Sequence, residues 1–350
     1  MSMVTPGRVN AHTHLYSGLV PLGMPAPATS PKTFHEILQT IWWRLDRAHD
    51  AETLRASARL YVAESLLEGT TALIDHHESP EFIEGSLDVI ADACEELGMR
   101  AVVCYGATER NHGHAESSRG LEECARFLEE NDRRLVRGVV GVHAGFTVSD
   151  KTLREAAEIA RDFGTVFHLH VAEDKLDVRD AQKRGYEGCI DRMLRVGALP
   201  ARSILAHGVH LSPDEVRDCA DLNCWIVQNP RSNRSNQVGY PRALGRSERV
   251  ALGTDGFPSD MVEEAEMLIV ESTAHGEELE QVAERLPAGH DLLSDCFEDG
   301  VPSAEVTLGK VVVDGRTIVE HGRLQTGDID EIRAHAREAA TRLWARMGEF

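Results

Sequence analysis

Four short motifs carry residue types that bind metals and move protons. They are His12-Thr13-His14, His168-Leu169-His170 with Glu173 three residues on, His207 closing the apolar run Ile204-Leu205-Ala206, and Asp255 in Gly253-Thr254-Asp255-Gly256. Side chains two apart on a strand face the same way, so His12 and His14 make half of a site for zinc or iron. His168 and His170 share a face in the same manner. His170 is the expected third ligand, and His168, deeper along the strand, is expected to be a hydrogen-bonded structural residue. Glu173 falls where the strand gives way to a loop, a spacing that suits a proton shuttle beside a metal. Asp255 stands between glycines, which allow close backbone approach, and a buried carboxylate there needs a cation or several donors. His207 is expected at the same site, with His210 in support.

These residues meet only if the elements carrying them close into one body. Eight apolar, β-prone runs are evenly dispersed, at 8–15, 71–77, 100–108, 137–145, 165–173, 203–211, 224–230 and 249–256. Helical stretches lie between most of them, as at 86–97, 149–163 and 176–196, with Ser149 and Ser212 as N-cap candidates. Strands that read as buried on both faces and alternate with helices predict a (β/α)8 TIM barrel, with each motif at the carboxyl end of a strand. The seventh unit reads weakest, because RSNRSNQVGYPRALG is polar and broken by Gly and Pro. The stretch 276–303 reads as a linker. A hairpin follows at 309–324, with Asp314-Gly315 as its turn, and then an amphipathic helix at 328–347. The expected domains are a hydrolase barrel at 7–300 and a hairpin with a helix at 301–350.

The chain has 350 residues, 42% of them apolar, and a net charge of −21. An acidic surface disfavours nucleic acid and anionic membranes, and no apolar run is long enough for a membrane span. The first residues lack the basic and apolar regions of a signal peptide. Seven scattered cysteines without CxxC spacing fit reduced thiols. Together these predict a cytoplasmic protein.

The stretches HTHLYSGL, IWWRLDRAHD, DHHESP, TERNHG, HAGFTVSD, HVAEDKLDV, AHGVHLS, NPRSN, NQVGY and ALGTDGFPSDMVEE resemble the amidohydrolase superfamily. Within it they resemble the aminohydrolase and chlorohydrolase branch, and most nearly the SsnA-type aminohydrolases. The likeness runs from Gly7 to about Glu264, and the hairpin and last helix resemble that family's C-terminus. The superfamily pattern maps onto His12, His14, His170, His207 and Asp255. Where binuclear relatives carry a lysine on strand four, this chain has His143, which implies a single divalent ion, Zn²⁺ or Fe²⁺. His143 also matches a position that touches substrate in several relatives. Relatives begin with several strands before the barrel. Here only a remnant of that small domain is implied, whose hairpin leaves Val311, Val313, Ile318 and Val319 uncovered. A homodimer or higher homo-oligomer is expected to cover them.

The resemblance implies a metal-dependent hydrolase of a non-peptide C–N bond that deaminates a small nitrogen heterocycle such as a purine, pyrimidine, pterin or triazine. His12, His14, His170 and Asp255 would hold the ion, Asp255 would accept a water proton, Glu173 would protonate the ring, and His207 would stabilise the attacking oxygen. Substrate contacts are expected from the loops at the same barrel end: Trp43 and Arg44, His76 and His77, Arg110 and Asn111, and His143. At least one of the pair Trp42-Trp43 is expected to pack a helix. Ring opening or chlorohydrolysis of the same substrates is the alternative within enzymes. A catalytically inactive metal-binding protein is the alternative outside them.

Overall fold

The computed structural model describes residues 4–350. Eight parallel strands run in sequence order around a barrel: β1 (Arg8–Thr13), β2 (Thr70–His77), β3 (Arg100–Ala107), β4 (Val140–Ala144), β5 (Phe167–Val171), β6 (Ile204–His207), β7 (Trp225–Gln228) and β8 (Val250–Leu252). The ring closes between β8 and β1, where the Thr254 and Asp255 amides both donate to the His12 carbonyl at 3.0 Å. Gly253 permits that approach, because a Cβ there would lie 2.7 Å from both His12 N and His12 O. Closure thereby sets the first and last motifs side by side. A short strand at Val136–Gly138 pairs with β3 ahead of β4, so the expected fourth run is split at Val139.

Inward side chains pack the amino-terminal half of the barrel. Val9, Ile74, Val102, Ile204, Trp225 and Ala251 form one buried cluster there with Leu292, Leu293 and Phe297. The last three belong to the segment expected to be a linker. That segment instead forms helices Leu279–Ala283 and Gly289–Cys296, and the second plugs the barrel floor. Its apolar residues are few, so its role depends on a partner surface invisible in local sequence. The helix expected over 176–196 is two helices, Lys175–Lys183 and Cys189–Val196, broken near Gly185, whose φ is +94°. Helix Ser86–Leu97 lies as expected, and Ser149 and Ser212 cap helices by accepting from Thr152 N and Glu215 N.

The predicted hairpin is part of a four-stranded antiparallel sheet, β9 (Ala304–Thr307), β10 (Lys310–Val313), β11 (Arg316–Glu320) and β12 (Arg323–Leu324). Its apolar face is not left open. Val311, Val313, Ile318 and Val319 are at most 3% exposed and join one core cluster with Leu66, Leu97 and the helix Ile329–Met347. The surface on which the homo-oligomer was argued is therefore covered within a single chain. No helix among the described residues is long and apolar enough to cross a membrane.

Candidate metal centre and active site

His12 and His14 leave β1 on one face, and each ring is oriented by its Nδ1. His14 donates from Nδ1 to the His76 carbonyl at 2.5 Å, and His170 donates from Nδ1 to the His143 carbonyl at 2.6 Å. His12 Nδ1 lies 3.0 Å from His168 Nε2, so His168, as expected of the deeper residue, braces His12. With Nδ1 engaged, each ring turns an Nε2 lone pair inward. His14 Nε2 lies 2.9 Å and His12 Nε2 3.5 Å from Asp255 Oδ1, while His14 Nε2 and His170 Nε2 are 3.3 Å apart. One ligand atom from each of His12, His14, His170 and Asp255 falls within 4.8 Å of all the others.

The donor set fits a divalent ion. Imidazole lone pairs facing each other repel unless a cation lies between them, and buried His12 Nε2 has no hydrogen-bond partner among the described residues. Burial pushes His12 down to about 3, and burial with the neighbouring His76 pushes His170 well below the usual histidine range, so both rings are neutral, the form that can bind a metal. Burial also pushes His14 down, but the Asp255 bond and the Glu78 charge outweigh it and raise it to about 9. The carboxylates thus call for positive charge at that atom. Burial likewise opposes ionisation of Asp255, yet His12 and His14 hold it well below the carboxylate range.

Beside this group stand Glu173 and His207. His207 donates from Nδ1 to Asn233 Oδ1 at 2.9 Å, leaving a buried Nε2 3.5 Å from Glu173 Oε2 and without a hydrogen-bond partner among the described residues. Burial, and then the Asp255 charge, push the Glu173 carboxyl well above its ordinary range, so it favours the protonated form. His207 (φ +74°) and Asp255 (φ +54°) both leave their strands in the left-handed region. Such strain costs about 1–3 kcal/mol per residue and collects at functional sites.

Sequence reading missed the residues that hold these groups. Ser232 donates to Asp255 Oδ2, Asn233 accepts from His207, and Asn236 Nδ2 donates to Glu173 Oε1 at 3.3 Å. All three come from the polar seventh unit, which forms the six-residue helix Pro230–Ser235. Asn229 followed by Pro at the first helical position was the available start signal. Glu78 was also missed. It is 1% exposed and accepts from His76 Nδ1 at 2.7 Å. Burial pushes it up, but His76 and His14 hold it well below the carboxylate range.

A small cavity opens onto the centre, lined in part by Phe34, Leu38, Trp42, Trp43, His143 and Phe146. Trp42 and Trp43 sit at a widened helical turn, Leu38–Trp42, and both face the cavity, so neither is confined to helix packing. Of the other expected substrate contacts, His143 lines the cavity and the rest do not. Arg110 lies behind the wall, donating to Asp46 at 2.6 Å and stacking 4.9 Å over Trp43. Arg44 donates to the Met347 carbonyl, and Asn111 donates to Glu116. His76 spends both ring nitrogens on Glu78 and the Val142 carbonyl, and His77 Nε2 bonds Ser79 Oγ.

The sequence profile of the Amidohydrolase family matches residues 3–292. The chain belongs to this family. A 5-methylthioadenosine/S-adenosylhomocysteine deaminase of Aquifex aeolicus is 30% identical to this amidohydrolase over 317 residues, 87% of this chain and 70% of that protein. One from Thermoanaerobacter pseudethanolicus is 28% identical over 263 residues, 74% of this chain and 58% of that protein. The amidohydrolase chain thus spans under two thirds of that relative's length. Its fold matches a crystal structure of a Xanthomonas campestris adenosine deaminase with bound zinc at a TM-score of 0.82, covering 98% of this chain and 86% of the other at 22% identity.

Proposed function

We propose that this amidohydrolase deaminates a small nitrogen heterocycle by hydrolysis, and that His12, His14, His170 and Asp255 hold one zinc or ferrous ion. The observation that carries the reading is the meeting of Glu173, His207 and Asp255 within ligand distance of one another, beside three inward imidazole nitrogens. A divalent ion bound there supplies a water whose pKa falls from 15.7 toward roughly 7. Asp255 accepts a proton from the attacking water. Glu173, protonated at rest, gives its proton to a ring nitrogen and makes the adjacent carbon more electrophilic. His207, whose Nε2 carries a lone pair, accepts a hydrogen bond from the attacking oxygen and orients it toward the ring carbon. Asp255 then gives its proton to the amine as the C–N bond breaks and ammonia leaves, while the hydroxyl proton of the tetrahedral state returns to Glu173 as the carbonyl forms. His143 and Trp43 contact the substrate at the cavity wall. Deaminases among the relatives lend the reaction class its support. Seven free cysteines, six of them buried, support a reducing compartment, the cytoplasm.

The experiment is a screen of aminopurines, aminopyrimidines, pterins and triazines on protein of measured metal content, scoring released ammonia and loss of ring absorbance. Ammonia release without loss of the ring supports deamination. Ring loss without ammonia replaces it with ring opening, and a metal-replete protein inert on the whole panel refutes it.

A further inference from the structure

Six carboxylates stand in the wall of the reactive cavity beside its aromatic and apolar residues. Asp46, Glu78, Glu173, Asp174, Asp177 and Asp255 line it, and no lysine or arginine does so among the described residues. Asp46 and Glu78 are 2% and 1% exposed. Arg110, which does not line the cavity, pairs with Asp46, whose Oδ1 is buried without a hydrogen-bond partner among the described residues, and His76, with His14 at 3.6 Å, serves Glu78. The exposed Lys175 and Arg242 line a separate groove that shares only Asp174 with the cavity, so that carboxylate stands between them and the centre. The arginines that answer these carboxylates, Arg110 at Asp46 and Arg192 near Asp177, are not among the side chains that line the cavity. In a closed, poorly screened space a like charge is repelled strongly.

We infer that this cavity selects by charge: the part of a substrate that enters it is neutral or cationic, rich in N–H donors, and carries no phosphate or carboxylate. This rests on the cavity being the entrance to the metal centre, and it narrows the proposed substrate class to uncharged or protonated aminoheterocycles.

The test uses metal-loaded protein and three probes that reach a metal through the same group: benzohydroxamic acid and its 4-carboxy and 4-aminomethyl derivatives. They differ only in distal charge, and affinity is read by calorimetry, so the result does not depend on whether the enzyme deaminates anything. The expected order is aminomethyl at least as tight as the parent, with the carboxy probe weaker than the parent by about tenfold or more. Equal or tighter binding of the carboxy probe, or no binding of any probe to the metal-replete protein, overturns the inference. Glu78→Gln should narrow the gap between the parent and carboxy probes several-fold. Asp174→Asn, at a partly exposed helix cap that Asn also satisfies, should narrow it too and guards against a folding defect in the first variant. An unchanged gap in both overturns the assignment to these carboxylates. Ammonia release from the substrate panel is scored apart, so charge selection without turnover refutes deamination alone.

Discussion

Asn233 Oδ1 sits 2.9 Å from His207 Nδ1 and thereby decides which nitrogen of His207 faces Glu173. An acceptor at Nδ1 fixes the proton there and leaves Nε2 as a lone pair toward the reacting oxygen. Asn233→Leu removes the acceptor without touching a metal-binding residue. Turnover should fall by about 10–100-fold with metal content unchanged, and kcat should drop more than KM rises. Elemental analysis beside steady-state kinetics checks this. A rise in KM alone would move Asn233 from orienting His207 to binding substrate.

Glu173 and His170 lie three residues apart on one strand end and should separate cleanly. Glu173→Gln keeps a side chain of the same size that cannot ionise, so it should keep the metal and lose turnover. His170→Ala removes an inward Nε2 and should lose most of the metal. If Glu173→Gln loses metal as readily as His170→Ala, Glu173 is a ligand. If it turns over at the native rate, the proton-transfer role is wrong.

The ligand-type residues were legible because strands alternate with period two and the barrel lines up strand ends. His12 with His14 and His168 with His170 announce a shared face without any tertiary knowledge. The residues that orient them were not. Ser232 and Asn233 lie in a six-residue helix, with Asn236 capping its end, and its polar sequence carries no periodicity because its side chains spend their hydrogen bonds on the site. His76, His77, Arg110 and Asn111 sit at the right end of the barrel, yet each commits polar atoms to a neighbour and none lines the cavity. Strand position tells which end a residue occupies. It does not tell whether a partner one loop away has already engaged it.

The small sheet gives the same lesson in packing, and Ile318 tests it. Ile318 is fully buried, and its side chain occupies the space a Cβ on Gly98 would need. Ile318→Ala should destabilise the protein by about 2–5 kcal/mol, as deletion of a core side chain does. Urea unfolding measures it. A loss below about 0.5 kcal/mol is what an exposed position gives and would mean the sheet does not pack on the barrel helices.

Gly253 links folding to the metal. A methyl there would meet His12 N, His12 O and Asn229 Oδ1, all at 2.7 Å, in the seam that closes the barrel. Gly253→Ala should cost about 1–3 kcal/mol of stability through overpacking. It should also weaken metal binding, because the Thr254 and Asp255 amides bond the carbonyl of a ligand-bearing residue. Thermal melts with and without added zinc check both effects. A variant that melts lower but binds metal as the native protein does would separate barrel closure from assembly of the centre.

His49 sets an acid limit on stability. It is fully buried, donates from Nε2 to the Tyr16 carbonyl at 2.9 Å, and has no partner for Nδ1 among the described residues. Burial pushes it down from 6.5 to about 4, against the opposing Tyr16 bond and the Asp50 charge. Between those two values the unfolded chain holds the extra proton and the folded chain does not. Stability therefore rises with pH across this window, and acidification from pH 6.5 to 4 should remove about 3 kcal/mol at this residue. Other groups add their own slopes, so the measurement is a difference. Urea midpoints of the native protein and of His49→Gln, taken from pH 4 to 7, should converge toward the acid end, because the amide keeps a donor for Tyr16 and has nothing to protonate. Two parallel curves would mean His49 is not held neutral by its surroundings.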